Sequence, residues 1–161
     1  MKSINLVWII RSVTLILYFF IAAQGAFYLL GFGKALYNIS SDTFIELRKA
    51  VDPVIRGRLK TLYLATLAMT FVWFLLTDKS GGFASYGLIL VSFLLLTTDI
   101  FLILKVSEPV NVEINVIDTF TVKRSVFLQQ EWLKYILIRA GISVSGFLLL
   151  LLQVTLRLNH H

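Results

Sequence analysis

The chain has 161 residues, 58% of them hydrophobic and 15% charged, with a formal charge of +6 at pH 7 and a mean hydropathy of +0.84. That is the length of one domain, but a water-soluble globule of this size has no place for so much apolar surface, so the composition excludes one and indicates an integral membrane protein. The absence of cysteine excludes disulfides, thiolate catalysis and Cys-based metal sites, and the basic residues sit at the ends of apolar runs rather than among aromatics, which argues against nucleic acid.

Residues 12–33 carry no charge and suffice to cross a hydrocarbon core of roughly 30 Å as a helix. A signal peptide cleaved near Ala23-Gln24-Gly25 is the competing reading. The apolar run continues past that point through Phe27, Tyr28 and Phe32, which favours a retained first helix. Next comes a stretch in which Phe44, Leu47, Val51 and Ile55 recur at helical spacing beside Glu46, Arg48, Lys49 and Asp52. It reads as a short amphipathic surface helix begun near Ser41 or Asp42, lying on the membrane or packed onto the end of the bundle.

Further spans are expected over 61–77, 83–104 and 126–156, the last with Ser125 as a helix cap. The short TDKSGG connection makes the second and third an antiparallel hairpin. The expected fold is therefore all-α: one transmembrane four-helix domain over 1–161 with a surface helix between helices one and two. Trp8, Trp73 and Tyr86 are placed near one interface, and Tyr37, Tyr63, Trp132 and Tyr135 near the other.

Four spans put both long loops on one face. That face carries ten basic residues, against Lys2, Arg11, Lys79 and Arg157 on the other. The positive-inside rule then makes both loops cytoplasmic and both termini external.

A few polar residues stand out within this apolar pattern. Asp99 lies six residues before Lys105, roughly 9 Å inside the polar boundary of its helix. Arg139 lies five residues after Lys134, at similar depth from the same face. A buried ionisable residue is expensive in a span. Asp99 is thus expected to be protonated, to be satisfied by Thr97, Thr98 or backbone, to pair with Arg139, or to handle protons; Arg139 has the further option of snorkelling.

Gln24, among Ala22, Ala23, Gly25 and Ala26, suits an interhelical hydrogen bond at a close helix contact, with ligand binding as the alternative. Gly141, Ser143, Ser145 and Gly146 form a second small-residue surface. Pro109 is expected to start the turn that ends the third helix, with Asn111 capping it. Trp132 is suited to stacking on a flat ligand, and Arg139 to binding an anionic or carbonyl oxygen. Internal histidine is absent. With the terminal Asn159-His160-His161 poor evidence for one, no metal site is expected, and no cofactor either.

The run Glu108-Pro109-Val110-Asn111, followed by Trp132 and Arg139, resembles the anthrone oxygenase-like family of four-helix membrane proteins. The likeness takes in the Gln24-Gly25 patch and the Phe44–Ile55 segment. It implies a small bundle and, in one branch, oxidation of a polycyclic anthrone by dioxygen without an evident cofactor. Many members carry a histidine three residues before the arginine; here that position is Ile136. The departure moves the expectation from catalysis towards binding.

Two functions follow as expectations. One is a protein that binds an apolar, aromatic or lipid-like molecule at the cytoplasmic-side membrane boundary through Gln24, Asp99, Pro109, Asn111, Trp132 and Arg139. The other is a non-catalytic accessory protein whose partners are membrane lipid and a second membrane protein or another copy of itself.

Overall fold

The computed structural model describes residues 6–116 and 122–158, with side chains as far as Leu156. Lys2, Asp118 and the closing Asn159-His160-His161 lie outside the described residues. Six α-helices follow one another: α1 (Leu6–Phe27), α2 (Gly33–Asn38), α3 (Ser41–Leu76), α4 (Phe83–Leu102), α5 (Glu108–Val116) and α6 (Val122–Leu158). Two five-residue π-helical turns, Tyr28–Phe32 and Ile103–Ser107, join α1 to α2 and α4 to α5. The result is an all-α bundle of four long rods, with no strand among the described residues.

Each rod contains a stretch of 33–36 residues that is long and apolar enough to cross a membrane. At 1.5 Å per residue each is about 50 Å long, against roughly 30 Å of hydrocarbon in a bilayer. α1 and α4 each pack on both α3 and α6. Short connections, including residues 39–40 and 77–82, make chain neighbours antiparallel.

Local chemistry explains the ends. Ser40 takes extended geometry and its side chain accepts from the Thr43 amide at 3.2 Å, capping α3. In the α3–α4 connection the Asp78 side chain accepts from the amide and hydroxyl of Ser80, and Gly82 adopts φ 67°. Gln129 of α6 donates to the carbonyls of Leu36 and Ile39, which satisfies the open end of α2.

Apolar packing falls into two clusters. One lies along the rods around Tyr18, Ile21, Trp73, Ile89, Leu96 and Leu150. The other closes the end where α2 and α5 sit, around Leu36, Phe44, Ile45, Ile114, Leu128 and Trp132. Between α1 and α6 the rods approach closely because Gly25 has no side chain. A Cβ there would stand 2.7 Å from Ser143 Oγ and 3.0 Å from the Ala140 Cα. Of the second small-residue group, Ser143 and Gly146 are buried, whereas Gly141 has open space beside it.

Three sequence expectations need correction. The segment read as a separate surface helix is the first half of α3, continuous through Pro53. Gly57, two residues past Ile55, does not stop it, and Pro53 is exposed. Its inward face is mixed: Phe44 and Ile45 are fully buried and Arg48 and Asp52 are each 5% exposed, while Leu47 and Val54 are 38% and 59% exposed.

Pro109 does not end the third rod. The π-helical turn shifts the backbone hydrogen bonds by one residue, with the Glu108 amide bonded to the Ile103 carbonyl. Proline, which lacks an amide hydrogen, follows at the start of the new helical register, where little is lost. Ser125 is likewise not a cap: α6 begins at Val122 and the Ser125 hydroxyl is buried.

Tyr63, Trp73 and Trp132 are buried, because each falls on the inward face of its rod.

Candidate functional site

Helix α3 is organised along one inward stripe: Ile45, Arg48, Asp52, Tyr63, Thr66, Thr70 and Trp73 are all buried and recur at three- and four-residue steps or their sums. Thr66 and Thr70 satisfy their hydroxyls on the carbonyls four residues back. Arg48, Asp52 and Tyr63 lack that local option. Arg48 and Asp52 bond to each other along α3 and reach other rods as well, Tyr63 bonds across rods, and they assemble in two layers.

The deeper layer centres on Asp99 of α4, which is 0% exposed. Arg139 Nε of α6 donates to its Oδ1 at 2.7 Å, and the Tyr63 hydroxyl donates to its Oδ2 at 2.7 Å. Arg139 also reaches the Ser107 and Tyr63 hydroxyls through Nη1 and Nη2, both at 3.3 Å. Thr97 and Thr98 are not partners of Asp99; each bonds to the carbonyl four residues before it. Asp99 thus ties its own rod to two others through two hydrogen bonds.

The outer layer centres on Asp52. It accepts from Arg48 Nη2 at 3.2 Å, from Arg56 Nε at 3.0 Å and from Asn115 Nδ2 at 2.9 Å. Arg56 Nη1 continues to Glu108 at 2.7 Å. Asn111 Oδ1 accepts both from Arg48 Nη2 at 3.2 Å and from Trp132 Nε1 at 3.0 Å. Asn111 therefore links α3, α5 and α6 with its side chain rather than capping a turn.

Trp132 is enclosed. Arg48 lies over its ring, 4.5 Å from the centroid, and Tyr28 and Phe44 meet it edge-on at 5.8 and 5.5 Å. A cation over an indole face is a favourable contact, and it leaves that face unavailable for stacking on a ligand.

Between the layers lies a cavity of about 550 Å³. Gln24 and Tyr28 line it from α1 and the following turn; Arg48, Asp52, Arg56, Lys60 and Tyr63 line it from α3. Ser107, Glu108 and Asn111 contribute from the third rod, and Trp132, Ile136 and Arg139 from α6. Four basic and two acidic side chains face it, with Asp99 behind Arg139. Apolar walls come from Ile55, Leu59, Leu64, Ile100, Ile103 and Leu104.

Comparisons with protein-family models, with curated proteins and with solved structures returned no match. The site therefore has to be read from its own geometry.

Of the residues singled out from sequence, Gln24, Asn111, Trp132 and Arg139 line one cavity, and Asp99 stands directly behind it. Pro109 is exposed and takes no part. Gln24 makes no interhelical hydrogen bond among the described residues; its amide faces the cavity, because close packing at the neighbouring Gly25 brings α6 in as Ala140 and Ser143, whose serine hydroxyl bonds to its own helix.

Sequence reasoning missed Arg48, Asp52, Arg56, Tyr63, Ser107 and Asn115 as site residues. The signal was present in Arg48-Asp52-Arg56, spaced by four residues, continuing in register to Tyr63. Among the described residues no group of three or more histidines or acids converges as a metal site would require. What the arrangement offers chemically is a set of cationic and neutral hydrogen-bond donors facing a partly apolar chamber, with carboxylates holding the cations in place.

Proposed function

We propose that this chain is a multi-pass integral membrane protein that binds an apolar, aromatic or lipid-like molecule in the cavity between its rods, at the cytoplasmic-side boundary of the bilayer. The observation that carries the proposal is the cavity itself: it is of the size of small-molecule sites, mostly apolar in its walls and fitted with a few convergent polar groups. The first half of α3 supports the bilayer setting in that it turns Leu47 and Val54 outward while it buries Arg48 and Asp52, an arrangement that suits a lipid surround. The ten basic residues predicted on that face support a cytoplasmic location for the same end.

The resemblance to the anthrone oxygenase-like family makes a flat aromatic molecule a reasonable first class to test. Ile136 lines the cavity where that family often carries histidine, so the proposal is one of binding and includes no reaction.

The test is to purify the chain in mild detergent, extract it, and identify retained small molecules by mass spectrometry. Ile136→Trp fills the chamber while leaving every charged residue in place. An apolar species held by the unmodified chain and absent from a folded Ile136→Trp variant is the expected result. Equal retention by both would sink the reading.

A second reading rests on Gly141, beside which space is open on α6. Small residues on an outward face allow another helix to approach closely, so an accessory role with a membrane-protein partner is the alternative. Crosslinking from Ser145→Cys in native membranes tests it; a discrete adduct of defined mass supports it, and its absence counts against it.

A further inference from the structure

We infer that the cavity's ligand is a single-chain amphiphile with an anionic head, a carboxylate, and that Arg139 is the residue that reads that head. The inference rests on the proposal that the cavity is a ligand site, and goes on to assign the ligand class and its recognition residue.

The arginines lining the cavity are not equivalent. Arg56 spends Nε on Asp52 and Nη1 on Glu108, and its Nη2 lies 2.8 Å from Asp52. Arg48 spends Nη2 on Asp52 and Asn111 and lays its plane over Trp132, and its Nε, though without a partner, is buried away from the open space of the cavity. Arg139 commits only Nε to a carboxylate. Its Nη1 and Nη2 reach neutral hydroxyls at 3.3 Å, long compared with the 2.7–2.9 Å typical of charge-assisted bonds. Both terminal nitrogens line up with weak acceptors that a stronger one would displace. A carboxylate matches that two-nitrogen edge in shape and charge.

Gln24 and Tyr28 add a second observation. They lie one helical turn apart and line the same cavity, yet neither the Gln24 amide nor the Tyr28 hydroxyl has a hydrogen-bond partner among the described residues. Polar groups held within an apolar segment without partners are costly. An oxygen-bearing head in the chamber supplies partners for both.

Charge points the same way. Arg48, Arg56 and Arg139 balance Asp52, Glu108 and Asp99, and the remaining charge is Lys60, exposed at the opening, where an anionic head would pass.

The route for the chain is apolar. Leu64 of α3 and Leu104 of the third rod both line the cavity and are both largely exposed, so the chamber opens sideways between these neighbouring rods. A hydrocarbon tail leaving between them meets leucine on both sides. Lys60, one turn from Leu64, lies at the same opening, on the side where a head would pass.

The test uses the full chain in detergent with two radiolabelled probes of one chain length, oleate and oleyl alcohol, which differ only in the head group, a carboxylate against a neutral hydroxymethyl. Oleate is expected to bind about tenfold more tightly than the alcohol. Because removing Arg139 alone strands Asp99, the decisive variant is Asp99→Asn with Arg139→Gln, which replaces the ion pair by two amides. In it the preference should fall to about twofold or less with alcohol binding retained. Gln24→Leu and Tyr28→Phe should each weaken oleate binding severalfold.

Equal binding of both probes by the unmodified chain would overturn the carboxylate assignment while leaving an apolar-ligand cavity in place. An unchanged preference in the double variant would overturn Arg139 as the reader. Failure of both probes to bind, with the Ile136→Trp variant retaining the same small molecules as the unmodified chain, would remove the ligand site itself.

Discussion

Replacing Asp99 by alanine is the sharpest perturbation of this fold. The carboxylate is wholly buried and accepts 2.7 Å bonds from Arg139 Nε and the Tyr63 hydroxyl. At that separation two unit charges attract by about 6 kcal/mol at an effective dielectric of about 20. Desolvating each ion costs several kcal/mol, so the pair as a whole adds little net stability. Removing one member is different. Arg139 would keep only two hydroxyls at 3.3 Å, and a stranded buried charge costs roughly 3–5 kcal/mol. Its side chain is 13% exposed and faces the cavity, which allows partial hydration and sets the expectation at the lower end, about 3 kcal/mol. Thermal unfolding in detergent, followed by tryptophan fluorescence, should show a fall of roughly 6–12 °C at 2–4 °C per kcal/mol. Arg139→Gln on its own, and together with Asp99→Ala, completes a double-mutant cycle. A coupling of about 1.5 kcal/mol or more is expected for groups in direct contact. Losses that simply add, or an Asp99→Ala loss under about 1 kcal/mol, as for a surface substitution, would refute the buried pair.

Other expectations concern the packing and orientation of the rods. Gly25→Val should destabilise by about 1–3 kcal/mol in the same melts, because the new side chain meets the backbone of Ala140; Ser143→Ala should relieve only part of the loss. Gly31, at φ 150° and with open space around it, should lose about 1–3 kcal/mol on change to alanine from backbone strain alone. Asn111→Leu leaves Trp132 Nε1 without its acceptor and Arg48 Nη2 with one fewer, and should cost about 1–3 kcal/mol. Since the chain lacks cysteine, single Ser41→Cys and Ser80→Cys variants report sidedness: an impermeant thiol reagent applied to intact cells should label the second and not the first, and labelling of position 41 would reverse the topology.

The number of rods and the polar depth of Asp99 and Arg139 were legible because both are one-dimensional: apolar run length and distance from the nearest boundary charge. Their meeting followed from antiparallel neighbours at equal depth. The role of Arg48 and Asp52 was not, because an amphipathic pattern does not state which side faces water. Phe44 faces inward as the apolar spacing suggests, but Arg48 and Asp52 share its burial while Leu47 turns outward. Pro109 misled for a related reason. A proline after a long apolar helix ordinarily signals its end, and nothing in the residue string marks the preceding π-helical turn that accommodates it. Tyr63 was read as an interfacial aromatic since its hydroxyl partner lies on another rod, thirty-six residues away in sequence.

The π-helical turn at Ile103–Ser107 has a consequence for how the two polar layers relate. An extra residue accommodated in a helix without a break acts as an insertion, advancing everything beyond it by about 100° relative to a regular α-helix. Asp99 precedes the turn, and Glu108, Asn111 and Asn115 follow it. The angular phase of the first is thereby uncoupled from that of the other three, so that one rod can aim Asp99 at Arg139 and still present Asn111 to Arg48 and Trp132. Deleting a single residue from this turn should leave the apolar span intact while rotating Glu108, Asn111 and Asn115 out of register with their partners on α3 and α6.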